Sequence, residues 1–126
     1  MNISSKNGYV WTQHALFKMR FWGLSQSRVR RAIKSPLRVE EGIAPDTIAV
    51  MQPASYKGVG EARTWTQEIW VMYVLQSAGG KREDSHKKGK EGVRIISAWR
   101  YPGKTKPREG LPEEIMLEIR EALGSS

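Results

Sequence analysis

Seven consecutive apolar positions, Ile69-Trp70-Val71-Met72-Tyr73-Val74-Leu75, constrain this chain more than any other stretch. A strand alternates its side chains between two faces, so an unbroken apolar run suits neither face to water and asks for cover on both. The run therefore predicts a central strand, within 62–76, with helices on at least one side. Further extended runs, broken by Gly and Pro, lie at 37–40, 46–52 and 92–100.

Helix signals flank these runs. Thr12 is a competent N-cap and Gly23 suits the left-handed position after a last turn, which bounds a first helix. Ser25 caps a second, Gln26 to Lys34, which stops because Pro36 disfavours helical geometry at Ser35. Val29, Ala32 and Ile33 fall at i, i+3, i+4 and face inward, while Arg28, Arg30, Arg31 and Lys34 decorate the helix. A third helix spans Pro112 to Leu123. Leu111, Ile115, Ile119, Ala122 and Leu123 make its apolar stripe, and Glu113, Glu114, Glu118 and Glu121 crowd the rest. This acidic piece packs on the body, lies over its basic surface, or mediates a homodimer. Residues 78–90, rich in Gly, Lys and Arg, read as a solvated hairpin loop, with an electrostatic arm on RNA or DNA as the alternative.

The chain of 126 residues is long enough for one domain with a single core, and five Trp are ample for its interior. Without cysteine, disulfides and thiolate metal sites are excluded. Met1 to Tyr9 contain no apolar h-region, and no stretch approaches the roughly 20 apolar residues of a bilayer span. The expectation is a cytoplasmic protein with no membrane partner. No cofactor and no metal are expected either. Gly79-Gly80-Lys81-Arg82 lacks P-loop spacing, His86 lies alone in the charged loop, and the acidic residues are scattered.

Charge separates the chain into unequal parts. Residues 1–110 hold 20 Lys/Arg against 9 Asp/Glu, and residues 111–126 hold 1 against 4, so a +11 body carries a −3 tail. A body with this field attracts polyanions. It fits a nucleic-acid ligand, and it also fits an acidic protein partner.

His14 and Lys18 stand four residues apart within the first helix, so an imidazole and a fixed cation share one face and can meet one substrate. The pairing suits phosphodiester cleavage, where His carries protons near neutral pH and Lys or Arg stabilises charge on phosphorus oxygens. The run Val93-Arg94-Ile95-Ile96-Ser97-Ala98-Trp99-Arg100-Tyr101 reads as a strand delivering further cations and aromatics. Arg94 and Arg100 share parity with Ile96 and Ala98, which predicts one face alternating cation and apolar residue. Each residue also has a structural use. His14 can satisfy a carbonyl at a helix start, Lys18 and Arg20 can simply face solvent, and most Trp belong in a core, Trp99 being the best candidate for stacking on a base.

His14-Ala15-x-x-Lys18-Met19-x-x-Trp22-Gly23-Leu24-Ser25 resembles the motif H-A-x-x-R-M-x-x-R-G-[IL]-S that opens a family of small bacterial RelE-like proteins. Val93 to Ala98 is similar to the R-I-I-S-A-R strand of BrnT toxins, ribonucleases of type II toxin–antitoxin modules, and Gly60-Glu61-Ala62-Arg63 is similar to their G-E-x-R. Lys18 and Trp22 stand where the opening motif has Arg, and Trp99 where the BrnT strand has its last Arg. The resemblance implies an α+β, RelE-like fold, with N-terminal helices on a twisted antiparallel sheet of about four strands whose open face holds RNA. It also implies a metal-independent endoribonuclease sequestered by an acidic antitoxin. The candidate catalytic residues are His14, Lys18 and Arg100, with Glu61 and Tyr101 for the remaining proton transfer. Arg20, Arg63, Arg94, Trp99 and Lys104 are the candidate nucleic-acid contacts. A noncatalytic RNA- or DNA-binding protein of the same fold, or a basic module that docks an acidic protein, is the alternative.

Overall fold

Thr12 ends one element and begins the next. In the computed structural model, which describes residues 3–4, 8–41, 46–76, 92–105 and 113–125, strand β2 (Tyr9–Trp11) runs directly into helix α1 (Gln13–Trp22). The Thr12 hydroxyl accepts from the Ala15 amide, 3.0 Å, and donates to the Ile95 carbonyl, 3.0 Å, so one side chain caps α1 and fastens it to the last strand. Gly23, at φ 70°, closes α1 in the left-handed conformation that its lack of a Cβ permits. Ser25 caps α2 (Gln26–Lys34) through the Arg28 amide.

The remaining elements are β1 (Ile3–Ser4), β3 (Arg38–Glu41), β4 (Thr47–Pro53), β5 (Glu68–Gln76), β6 (Gly92–Tyr101) and α3 (Glu113–Ser125). The fold is α+β, with helices packed on a sheet of order β1-β2-β6-β5-β4-β3. β3 to β6 form an antiparallel part of four strands, the arrangement that the resemblance implies. The short β1 and β2 are additional, and β2 lies parallel to β6, which makes the sheet mixed. The strand expected from 62 begins only at Glu68, because Gly60–Ala62 form a 3-10 turn and Thr64 bridges back to Lys57. The loop expected at 78–90 lies outside the described residues.

β5 is central, and its first apolar residues are covered on both faces. Ile69 and Val71 join Ala15, Met19, Val29 and Ala32 under α1 and α2. Trp70 and Met72 join Ile96, Trp99, Ile119 and Ala122 under α3. Further along, Leu75 emerges into solvent. Over Ile69 to Met72 both faces of β5 are covered, one of them by the acidic helix α3. Among the described residues no helix is long and apolar enough to cross a membrane.

One irregularity re-aims β6. Its pairing with β5 slips between Met72/Ser97 and Tyr73/Ile95, leaving Ile96 as an inserted residue. A bulge of this kind places two successive side chains against one partner and shifts the parity of everything beyond it. Arg94 therefore sits opposite Val74 on the α3 face, whereas Arg100 sits opposite Ile69 on the α1–α2 face. The expected single face bearing both arginines is corrected on this point.

Candidate functional site

Most of the candidate residues fall into two groups. The first lies in the seam between α1 and α3. His14 and Lys18 share a helix face, and Lys18 Nζ reaches Glu118 Oε2 at 3.0 Å and Glu121 Oε1 at 3.8 Å. The acidic helix thus lies over the basic surface at this point, one of the placements its charge suggests. His14 Nε2 is buried and has no hydrogen-bond partner, and Glu118 Oε1 is in the same position. Burial pushes the His14 imidazole below its ordinary value, Glu121 opposes this, Lys18 reinforces it, and Glu118 opposes it. The ring is therefore neutral at pH 7, the form that accepts a proton. Arg20 is exposed in the last turn of α1, and Lys18 is buried rather than solvent-facing.

The second group gathers at the end of the sheet where β4 and β6 finish and β5 starts, since Pro53 pairs with Glu68 and Glu68 with Tyr101. Arg100 donates through Nε to the Trp22 carbonyl, 2.8 Å, and through Nη1 to Gln67 Oε1, 3.4 Å. Trp22 closes α1, so eight residues, or about 12 Å of helix axis, separate this anchor from His14. Arg100 and His14 are consequently not brought together. Arg63 bonds the Gly60 carbonyl and lies 5.0 Å from the centroid of the Tyr56 ring. Lys104 lies 4.5 Å from the Trp65 centroid, and Glu61 is exposed in the 3-10 turn. Tyr101 is half-buried beside the α3-face cluster.

Trp99 belongs to neither group. Its ring is 1% exposed and stacks on Trp70, centroids 6.3 Å apart and planes 7° apart. With α3 in place the ring is closed to a base, so the stacking expected of it has no accessible face in this state. Arg94 is half-buried on the α3 face.

Two residues at the sheet end carry more structure than their sequence context announces. Arg28 donates to Gln52 Oε1 and to the Pro53 carbonyl, tying α2 to β4. A cation in the first turn of a helix opposes the macrodipole, and this misfit was the signal that Arg28 has a tertiary partner. Glu68 is fully buried and accepts from both Trp65 and Trp70 indoles and from the Thr105 amide and hydroxyl. The Thr105 hydroxyl in turn accepts from Arg38. A lone Glu ahead of an apolar run carries no local sign of this role.

Among the described residues no three His, Asp or Glu side chains are grouped to hold a metal ion. Comparison of the chain with protein-family models, with curated proteins and with solved structures returned no match.

Proposed function

We propose that this protein acts on RNA, with His14 and Lys18 as a metal-independent phosphodiester-cleaving pair that α3 covers in the closed state. The observation that carries the reading is the unpartnered Nε2 of His14 in the same seam as the Lys18 ammonium. A buried polar atom that makes no structural bond is costly to keep, and a proton-transfer role gives it a use.

With α3 withdrawn, phosphate oxygens take the positions held by the Glu118 and Glu121 carboxylates around Lys18. Neutral His14 then accepts the 2′-OH proton, the 2′ oxygen forms a bond to phosphorus, and the bond to the 5′ oxygen breaks. Water protonates the departing oxygen, and Lys18 stabilises charge on the phosphorane. The acidic antitoxin implied by the resemblance would bind the same basic body.

The test is incubation of single-stranded RNA with EDTA present. Wild type is expected to cut, His14→Ala to be inactive, and Glu118→Gln/Glu121→Gln to cut faster. RNA left equally intact by all three proteins rules the reading out.

A second reading is binding without cleavage, and the Lys18–Glu118 ion pair favours it, because a cation already matched by carboxylates is a structural element. Uncut RNA bound with steep salt dependence would assign it.

A further inference from the structure

Gln52, Ile69 and Arg100 are direct neighbours across β4, β5 and β6 on the α1–α2 face. Arg28 reaches from α2 to Gln52, so its guanidinium and that of Arg100 approach from either side of buried Ile69. Two strand spacings, roughly 10 Å, separate the Gln52 and Arg100 backbones, and two long side chains shorten that gap. Arg31 follows Arg28 by one turn on the same helix face.

We propose that Arg28, Arg31 and Arg100 form a phosphate-binding site for the backbone of a single-stranded nucleic acid, separate from the His14–Lys18 seam. The proposal rests on the reading that the protein acts on RNA, but it requires no cleavage.

The bonds of the Arg28 and Arg100 side chains go to neutral oxygens, those of Gln52, Pro53, Trp22 and Gln67. Among the described residues no carboxylate pairs with any of the three arginines. Guanidinium does not give up its proton, so positive charge is gathered here without a counter-charge. Burial is the main cause that depresses the Arg28 pKa, and the neighbouring charges of Arg31 and then Arg100 add to it. The natural complement is an anion with several oxygens, which planar forks grip in pairs. Arg100 holds Gln67 only at 3.4 Å, so its Nη donors are available to such oxygens. Lys104, set over Trp65 of the α3-face cluster, stays outside this site.

The test measures binding of a labelled single-stranded DNA oligonucleotide, which lacks the 2′-OH and cannot be cut by the proposed chemistry, over a range of NaCl concentrations. Arg31→Gln, at an exposed position, and Arg100→Gln are compared with Arg120→Gln, which removes the same charge from α3. The two site variants are expected to bind about tenfold more weakly, with the log–log salt slope reduced by about 0.7 for each lost contact, while Arg120→Gln stays within about twofold of wild type. Arg31→Gln keeps the test valid should Arg100→Gln fail to fold, because among the described residues the exposed Arg31 side chain anchors no other element. No binding by wild type, or equal losses in all three variants, overturns the site. Displacement of the oligonucleotide by inorganic phosphate, beyond that by NaCl of equal ionic strength, assigns the cluster to free phosphate and also overturns it. Loss of DNA binding in the site variants alongside uncut RNA would leave this site standing while removing the nuclease reading.

Discussion

Lys18 Nζ lies 3.0 Å from Glu118 Oε2 across the seam of α1 and α3, joining residues a hundred positions apart. Their side chains are only 10% and 19% exposed, so water screens the pair weakly, whereas Glu121 is 60% exposed and adds less at 3.8 Å. Removing the cation leaves a part-buried carboxylate unmatched. Lys18→Met is expected to cost about 2 kcal/mol, between the values of exposed and buried pairs, and Glu121→Gln less than about 0.5 kcal/mol. Urea midpoints measure both. Equal losses would mean that Glu121, and not Glu118, is the effective partner.

The depressed pKa of His14 fixes a sign. The folded-state value lies below the unfolded one, so between the two the unfolded chain binds more protons. Stability is then lost as pH falls through the window below about 6.5, and this residue contributes no slope above it. Relative to wild type, His14→Gln is expected to gain thermal stability on going from about pH 7.5 to about pH 5. Should wild type gain instead, the carboxylates of Glu118 and Glu121 outweigh burial and the ring is a cationic partner of α3.

Local punctuation made the helices legible. Thr12, Gly23, Ser25 and Pro36 each act through their own backbone or a neighbour within one turn, and α1 and α2 begin and end where those residues require. The apolar run marked β5 as central for an equally local reason, its alternation onto two faces. What escaped is long-range. Tyr9–Trp11 is too short to signal a strand, and it pairs with residues more than eighty positions away. The bulge at Ile96 arises in a β-branched run with no Gly to announce it, so the facing of Arg100 followed regular parity and came out reversed. His14 and Lys18 were recognisable as a pair from helical spacing, but the carboxylates that meet Lys18 arrive from the far end of the chain.

Glu68 offers only acceptors to a surrounding set of donors, and that match is the basis of a third prediction. Both carboxylate oxygens are occupied, by Trp65 and the Thr105 amide on one side and by Trp70 and the Thr105 hydroxyl on the other. Glu68→Gln keeps shape but turns one oxygen into an amino group that faces donors, leaving two of them without an acceptor. The expected loss is about 3 kcal/mol, since each buried orphan donor costs about 1–3 kcal/mol. Thr105→Val removes only the link to Arg38 and one bond to Glu68, with about 1–2 kcal/mol expected. Tryptophan fluorescence should report both changes, because two indoles donate to the same carboxylate. An unchanged urea midpoint for Glu68→Gln would mean that these four bonds do not hold the sheet end together.

Trp99 separates core packing from ligand contact. Its ring is stacked on Trp70 beneath Ile119 and Ala122 of α3, so truncation empties the middle of that layer. Trp99→Ala is expected to destabilise by about 3–5 kcal/mol. Trp99→Phe, which keeps an aromatic ring in the layer, should remain folded and bind single-stranded RNA as wild type does. If the ring stacked on a base, the same variant would weaken binding without a matching loss of stability, since such contacts are worth about 1–3 kcal/mol each by alanine substitution. A drop in affinity with an unchanged urea midpoint would therefore mean that α3 leaves this face when RNA binds and that the buried indole becomes part of the bound surface.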